Sequence, residues 1–141
     1  MPFVGRQLSI EEALALGAFC GLEDPKPLRW FVAVMTAESR RFTEAYGFNV
    51  RVEEDGTFKV SIDRGLMQVN DRAHPSFGMA ASFNPVANVR YAVELSQHAT
   101  NFEHWNGFKS GAYKDHLDDI YRVWKRHEWE DLIEIIADEL S

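Results

Sequence analysis

The stretch Trp30-Phe-Val-Ala-Val-Met-Thr-Ala-Glu38-Ser39 is apolar for two helical turns and then ends in a carboxylate. A pattern that is apolar on every side predicts a core helix. Carboxylates in such surroundings are usually paired or functional. Burial and the negative end of the helix dipole both raise the pKa of Glu38, as a general acid near neutral pH requires. The alternatives are that Glu38 pairs with Arg40 or Arg41, or lies in solvent where the helix ends.

A second carboxylate, Asp63, follows a predicted β-hairpin. The stretch from Val50 to Ile62 alternates between apolar and polar residues on both sides of Asp55-Gly56, a dipeptide that suits tight hairpin turns. A hairpin folded beside the core helix would place Asp63 opposite Glu38. A protonated acid facing an ionised carboxylate is the arrangement that glycoside hydrolysis uses. The alternative is that Asp63 is a turn residue that caps the next segment.

The rest of the chain is mostly helical in pattern. Ser9 and Glu12 predict a capping box for a first helix that runs to Ala18, and Asn84-Pro85 predicts the start of another. A short helical turn is predicted for residues 66–69, two or three short helices follow around Trp105, Tyr113 and Ile120, and an amphipathic helix is predicted at about 128–140. We therefore expect one α+β domain, mostly helical, that spans residues 1–141. The C-terminal helix either packs on the core or docks a partner or second copy.

Four ordered blocks of sequence resemble the lysozyme superfamily. Glu38-Ser39-x-x-x-Thr43-x-Ala45 is similar to the catalytic-glutamate helix of animal-type lysozymes, and Asp63-x-Gly65-x-x-Gln68-x-Asn70 to their strand-end motif. Gly65-Leu-Met-Gln68 and Asn84-Pro85-x-x-Asn88-Val resemble soluble lytic transglycosylases. Trp105-Asn-Gly-Phe108-Lys-Ser-Gly111-Ala-Tyr113 resembles phage-encoded lysozyme-like domains. The resemblance implies a lysozyme-like fold with a small hairpin beside the catalytic helix.

The same resemblance implies a cell-wall enzyme that cleaves the β-1,4 bond between N-acetylmuramic acid and N-acetylglucosamine. Glu38 and Asp63 would be its catalytic residues. The implied substrate-binding residues are Ser39, Gln68, Asn70, Trp105, Phe108 and Tyr113. Each has a structural alternative: Ser39 caps the helix end, Gln68 stabilises a turn, Asn70 is structural or lies at the cleft edge, and the aromatic residues pack in the core.

Some residues depart from the related enzymes. The transglycosylase stretch Ala-Tyr-Asn-x-Gly is replaced by Gly107-Phe-Lys-Ser-Gly111, so the tyrosine hydroxyl near the acid is missing. Asp63 fits a two-carboxylate hydrolase better than a single-glutamate transglycosylase. Hydrolysis is therefore our first expectation and transglycosylation the alternative. A non-enzymatic virion or glycan-binding module on the same scaffold is a second alternative.

The composition of the chain limits the classes of partner that we expect it to bind. The net charge of −7 and the lack of a basic stripe argue against nucleic acid. No apolar run is long enough to cross a membrane, and the N-terminus lacks the pattern of a signal peptide. The chain has a single cysteine, Cys20, which we expect in the core. Because one cysteine cannot form an internal disulfide, packing must hold the fold. We expect a monomer acting on peptidoglycan, encoded by a phage and either retained in the host cytoplasm until lysis or attached to a virion or wall-binding domain.

Cofactor and metal sites are not indicated by the sequence. The five histidines, at positions 74, 98, 104, 116 and 127, show no close helical pairing with acids in a zinc-like motif. The chain also lacks a glycine loop for phosphate and a serine nucleophile elbow. We therefore expect neither a metal nor a cofactor.

Overall fold

The computed structural model describes residues 3–126, and the predicted helix at 128–140 lies outside them. In chain order the elements are α1 Ile10–Phe19, α2 Pro25–Ser39, β1 Tyr46–Val52, β2 Phe58–Arg64, β3 Val69–Asn70, α3 Met79–Ser82, α4 Pro85–Leu95, α5 Asn106–Lys109, a 3-10 helix Ala112–His116 and α6 Leu117–Trp124. The mixture of helices with one small antiparallel sheet confirms the predicted α+β class.

Helix α2 is the central element of the described fold. It contacts α1, α5, the 3-10 helix and α6, and its residues from Phe31 to Thr36 are buried in succession. The apolar run that predicted a core helix thus supplies contact surface in every direction, as a helix without a polar face requires. Its last turn carries Glu38 out of the core and towards the sheet. The position of the acid therefore follows from the burial of the helix that holds it.

The helix starts follow the predicted capping residues. The Ser9 hydroxyl accepts a hydrogen bond from the Glu12 N–H at 3.1 Å, and the Glu12 carboxylate accepts one from the Ser9 N–H at 3.1 Å. Asn84 caps α4 by accepting from the Ala87 N–H at 2.9 Å. Both motifs satisfy amide groups that have no partner within the first helical turn.

The sheet is larger than the sequence predicted. Strands β1 and β2 pair from Tyr46–Arg64 to Val52–Phe58, so the hairpin extends beyond the predicted residues 50–62 at its open end. The prediction of a helical turn over residues 66–69 was wrong for Val69, which lies in β3 and pairs with Arg64. The turn itself closes earlier, with the Gln68 N–H donating to the Gly65 carbonyl at 3.1 Å. A four-residue apolar window is too short to separate these alternatives.

The two faces of the hairpin differ in polarity. One face carries Phe48, Val50, Val52, Phe58 and Val60, which are 51–69% exposed. The opposite face carries the paired rungs Gly47–Asp63, Asn49–Ser61 and Arg51–Lys59, because side chains alternate along a strand. The polar face adjoins the cavity described in the next subsection.

Gly65 and Asn88 fix the turn after β2. Gly65 has φ +79°, and a Cβ atom there would lie 2.1 Å from the Ser82 carbonyl oxygen. The buried Asn88 side chain donates to the carbonyls of Arg64 and Ser82 and accepts from the Met67 N–H. A side chain at position 65 would therefore separate α4 from the turn that follows Asp63.

Cys20 lies at the end of α1 and is partly buried. Burial raises the pKa of its thiol to about 11, with the nearby Arg90 opposing the shift. Its sulfur lies 3.9 Å from the Val86 carbonyl oxygen of α4. The residue is therefore a packing contact between two helices, as its apolar setting predicted.

No helix among residues 3–126 combines the length and apolar character needed to span a membrane.

Candidate active site

Glu38 is half-buried in the last turn of α2 and lines a small cavity of about 110 Å³. Its Oε1 accepts a hydrogen bond from the Gly107 N–H at 2.6 Å. Burial raises the pKa of Glu38 above its ordinary value, and the charge of Asp63 raises it further, while the Gly107 N–H and Lys109 oppose the shift. Arg41 is directed elsewhere, because it donates to the Leu8 carbonyl and to the Thr36 hydroxyl. The side chain therefore has the setting of a proton donor.

Asp63 lines the same cavity from β2. Its Oδ2 accepts from the Asn49 amide at 2.8 Å, and its Oδ1 accepts from the Asn70 amide at 2.8 Å. Both oxygens thus act as acceptors, which is the bonding pattern of an ionised carboxylate. The two amides fix the orientation of the Asp63 carboxylate near the open end of the hairpin. Glu38 and Asp63 are brought together as predicted, one from a helix and one from a strand.

Two further predicted residues lie in the cavity wall, but their polar groups are largely engaged within the protein. The buried Gln68 has φ +50°, and its amide donates to the carbonyls of Ala45 and Gly65, both at 2.9 Å. Asn70 donates to Asp63 and Ser61 and accepts from the N–H groups of residues 72 and 73. These contacts stabilise the turn and hold Asp63 in place.

Trp105 belongs to both the cavity wall and the core. It is 3% exposed, and its indole N–H donates to the Met67 carbonyl at 2.7 Å. Phe108 and Tyr113 lie apart from the cavity residues, in an aromatic cluster with Trp30, where their rings stack with centroids 4.9 Å apart. They pack around the short helix α5, which carries Gly107, and do not line the cavity.

Ser39 is fully buried and turned away from the cavity. Its hydroxyl donates to the Met35 carbonyl and accepts from the Arg41 N–H, both at 3.1 Å. It therefore holds the end of α2, where Arg40 takes a left-handed conformation with φ 51°. This is the structural alternative that the sequence left open for Ser39.

Several residues of the site were missed by the sequence reasoning. They are the glutamate partner Gly107, the aspartate partner Asn49, and the wall residues Val69, Ala73, His74, Leu95, His104 and Asn106. Gly107 left a weak signal, as a small residue two positions after Trp105. A Cβ atom there would lie 2.8 Å from the Ala37 Cβ and 3.1 Å from Glu38 Oε1. Asn49 was missed because its register is set by a five-residue loop, 53–57, whereas a two-residue turn at Asp55-Gly56 would shift the pairing by one residue.

His74 and His104 form one wall of the cavity. The Nδ1 of His74 lies 2.9 Å from the Tyr91 hydroxyl, and the ring centroids of the two histidines are 6.4 Å apart. Burial lowers the pKa of His74, and the neighbouring His104 lowers it further. Among residues 3–126, no group of three or more histidine, cysteine or acidic side chains is placed to hold a metal ion.

The arrangement can protonate an oxygen on one side of a bond and stabilise positive charge on the other, which is the chemistry of glycoside cleavage. The sequence profile of the Lysozyme like domain family matches residues 10–107, more than two thirds of the chain, and includes Glu38, Asp63 and Gly107. No curated protein and no solved structure gives a match. The chain therefore belongs to the lysozyme-like domain family, whose fold and chemistry are those of peptidoglycan-acting glycosidases and transglycosylases.

Proposed function

We propose that this protein is a muramidase, which hydrolyses the β-1,4 bond between N-acetylmuramic acid and N-acetylglucosamine in the bacterial cell wall. The observation that carries the proposal is the pairing in one cavity of the half-buried Glu38, whose pKa is raised, with Asp63. Glycoside hydrolysis uses one neutral acid and one ionised carboxylate on the two sides of the scissile bond.

Glu38 supplies the proton. The Gly107 N–H donates to Oε1, which leaves Oε2 to carry the acidic hydrogen towards the glycosidic oxygen. As the bond breaks, Glu38 becomes a carboxylate, and the same N–H together with the charge of Lys109 stabilises it. The raised pKa of Glu38 thus favours the neutral acid before the reaction, and the carboxylate formed afterwards has a donor in place.

Asp63 acts on the opposite side. Its carboxylate, held by Asn49 and Asn70, stabilises the positive charge that develops at the sugar carbon or positions the attacking water. A transglycosylase has less need of this group, because the muramyl 6-hydroxyl attacks internally. The two amides that hold Asp63 in place therefore favour hydrolysis over transglycosylation. A pure glycan-binding module would need neither acid.

The test is mass spectrometry of fragments released from purified peptidoglycan. We expect muropeptides with free reducing ends, and we expect Glu38→Gln to lower the release rate by roughly a thousandfold, the range for loss of a general acid. The matched control is Glu23→Gln, which removes an exposed carboxylate between α1 and α2 and should leave the rate unchanged.

The products separate the competing functions. Fragments lighter by one water, with 1,6-anhydro ends, would identify a lytic transglycosylase that depends mainly on Glu38. Turnover by Glu38→Gln at the wild-type rate would contradict the assigned acid. Failure to release fragments from several wall types, with binding retained, would favour a glycan-binding module.

A further inference from the structure

A second groove continues from the catalytic cavity along the polar face of the hairpin. It has a volume of about 410 Å³ and shares Asn70 and Ala73 with the cavity that holds Glu38 and Asp63. The rungs Asn49–Ser61 and Arg51–Lys59 form its floor, and Arg72 lies at its side. A ligand held between the two acids therefore has a direct path into this groove.

The charge of the groove is opposite to that of the chain. Its ionisable lining residues are the cations Arg51, Lys59 and Arg72, while the whole sequence carries a net charge of −7. Because salt screens distant charges within about 8 Å at physiological ionic strength, a bound anion senses mainly these near cations. The side chains of Arg51 and Lys59 are 73% and 43% exposed, so a ligand can reach them.

One acidic residue, Glu53, partly neutralises the positive charge of the groove. Glu53 accepts from Arg51 at 3.0 Å and lies 3.5 Å from the Lys59 ammonium, so one carboxylate is shared between two cations. An exposed ion pair of this kind contributes little stability and is readily exchanged for another anion. A ligand carboxylate can therefore replace Glu53 as the partner of Arg51 or Lys59.

We propose that this groove binds the free carboxylates of the short peptides attached to peptidoglycan, so that the protein prefers strands that carry them. The inference rests on the proposed function. Lys59 lies four residues along β2 from Asp63, or about 13 Å at strand spacing. An extended peptide of about four residues covers that distance. A peptide on the muramyl sugar next to the scissile bond can thus present a carboxylate to the basic rung.

The experiment compares kcat/KM on two preparations of the same glycan strands, both freed of phosphate polymers: one with peptides and one from which an amidase has removed them. We expect the wild-type protein to prefer peptide-bearing strands by about tenfold, as about 1.4 kcal/mol of charge pairing would give. Lys59→Gln combined with Arg72→Gln should bring this ratio close to one. Glu53→Gln should raise it, because two cations lose their internal partner.

The charge-matched control is Lys114→Gln with Arg126→Gln, two exposed cations outside the groove, and it should keep the wild-type ratio. A wild-type ratio of one, a groove variant that keeps the preference, or a control that loses it equally would overturn the inference. Binding to Glu38→Gln by calorimetry, with soluble fragments of each kind, gives a readout without turnover. Equal affinity for both fragments would also overturn it, whereas lack of cleavage with unequal affinity would count only against the proposed hydrolysis.

Discussion

The end of α2 and the end of β2 each present one carboxylate to the same cavity, but the protein treats the two groups differently. Glu38 is half-buried at the end of a core helix and has one backbone N–H as its partner. Asp63 stands on an open hairpin and accepts from two side-chain amides. Two similar acids thus have different surroundings, since burial favours the neutral form of Glu38 while two side-chain donors bind the oxygens of Asp63.

The variant with the largest expected effect is Asp63→Asn, which keeps the shape of the side chain but removes its charge. We expect hydrolysis to fall by about a hundredfold, the typical cost of losing one group that stabilises the transition state. Rates of reducing-end release measure it. A loss of less than threefold would show that Asp63 plays no electrostatic part and would favour the transglycosylase chemistry.

The next test concerns the support of Glu38. Gly107→Ala should lower kcat by about tenfold with little change in KM, because the added Cβ would meet the Ala37 Cβ at 2.8 Å and displace the acid from its donor. Gly78→Ala is the matched control, since a Cβ there meets nothing within 4 Å. Equal effects of the two variants on activity would contradict the assigned role of Gly107.

A third test uses the pH profile of kcat/KM. Glu38 must be protonated to act, and its pKa is raised, so activity should be lost as the pH rises through that pKa. Lys109 lowers the pKa of Glu38, so Lys109→Gln should move this alkaline limb to higher pH. Lys114→Gln, an exposed cation on the neighbouring 3-10 helix, should leave it in place. Movement of the limb to lower pH in Lys109→Gln would show that another group controls it.

The smallest expected effect is on stability. Because burial raises the pKa of Glu38, the folded state holds this proton more tightly than the unfolded chain does. The resulting stabilisation is present at low pH and is lost as the pH rises through the folded pKa. Glu38→Gln should therefore melt above wild type at about pH 8 and close to it at about pH 4. Wild-type behaviour at both pH values would contradict the raised pKa.

Local sequence signals predicted the elements that depend on local chemistry. The apolar run before Glu38, the Ser9–Glu12 box and the Asn84 cap all formed as expected, because each is settled within one or two helical turns. Strand β3 was missed, since two residues become a strand only when a partner strand is near. The donor to Glu38, Gly107, comes from a distant segment, and Asn49 reaches Asp63 only through the register that the hairpin loop sets.

The predicted substrate residues illustrate the same limit. Their types were right for a sugar cleft, but a sequence does not reveal which polar atoms the fold itself will use. The amide nitrogens of Gln68 and Asn70 are engaged in internal hydrogen bonds, and the rings of Phe108 and Tyr113 stack on each other outside the cavity. Their direct contact with substrate stays a prediction.

The chemistry of Cys20 offers a practical advantage. With a pKa of about 11, its thiol stays almost wholly protonated at neutral pH, and only the thiolate reacts readily with alkylating reagents. It is also the single cysteine of the chain. A new thiol at the exposed hairpin tip, introduced by Glu54→Cys, would therefore take a fluorescent probe selectively without removal of the native cysteine. The natural sequence is thus already suited to site-specific labelling at the hairpin tip.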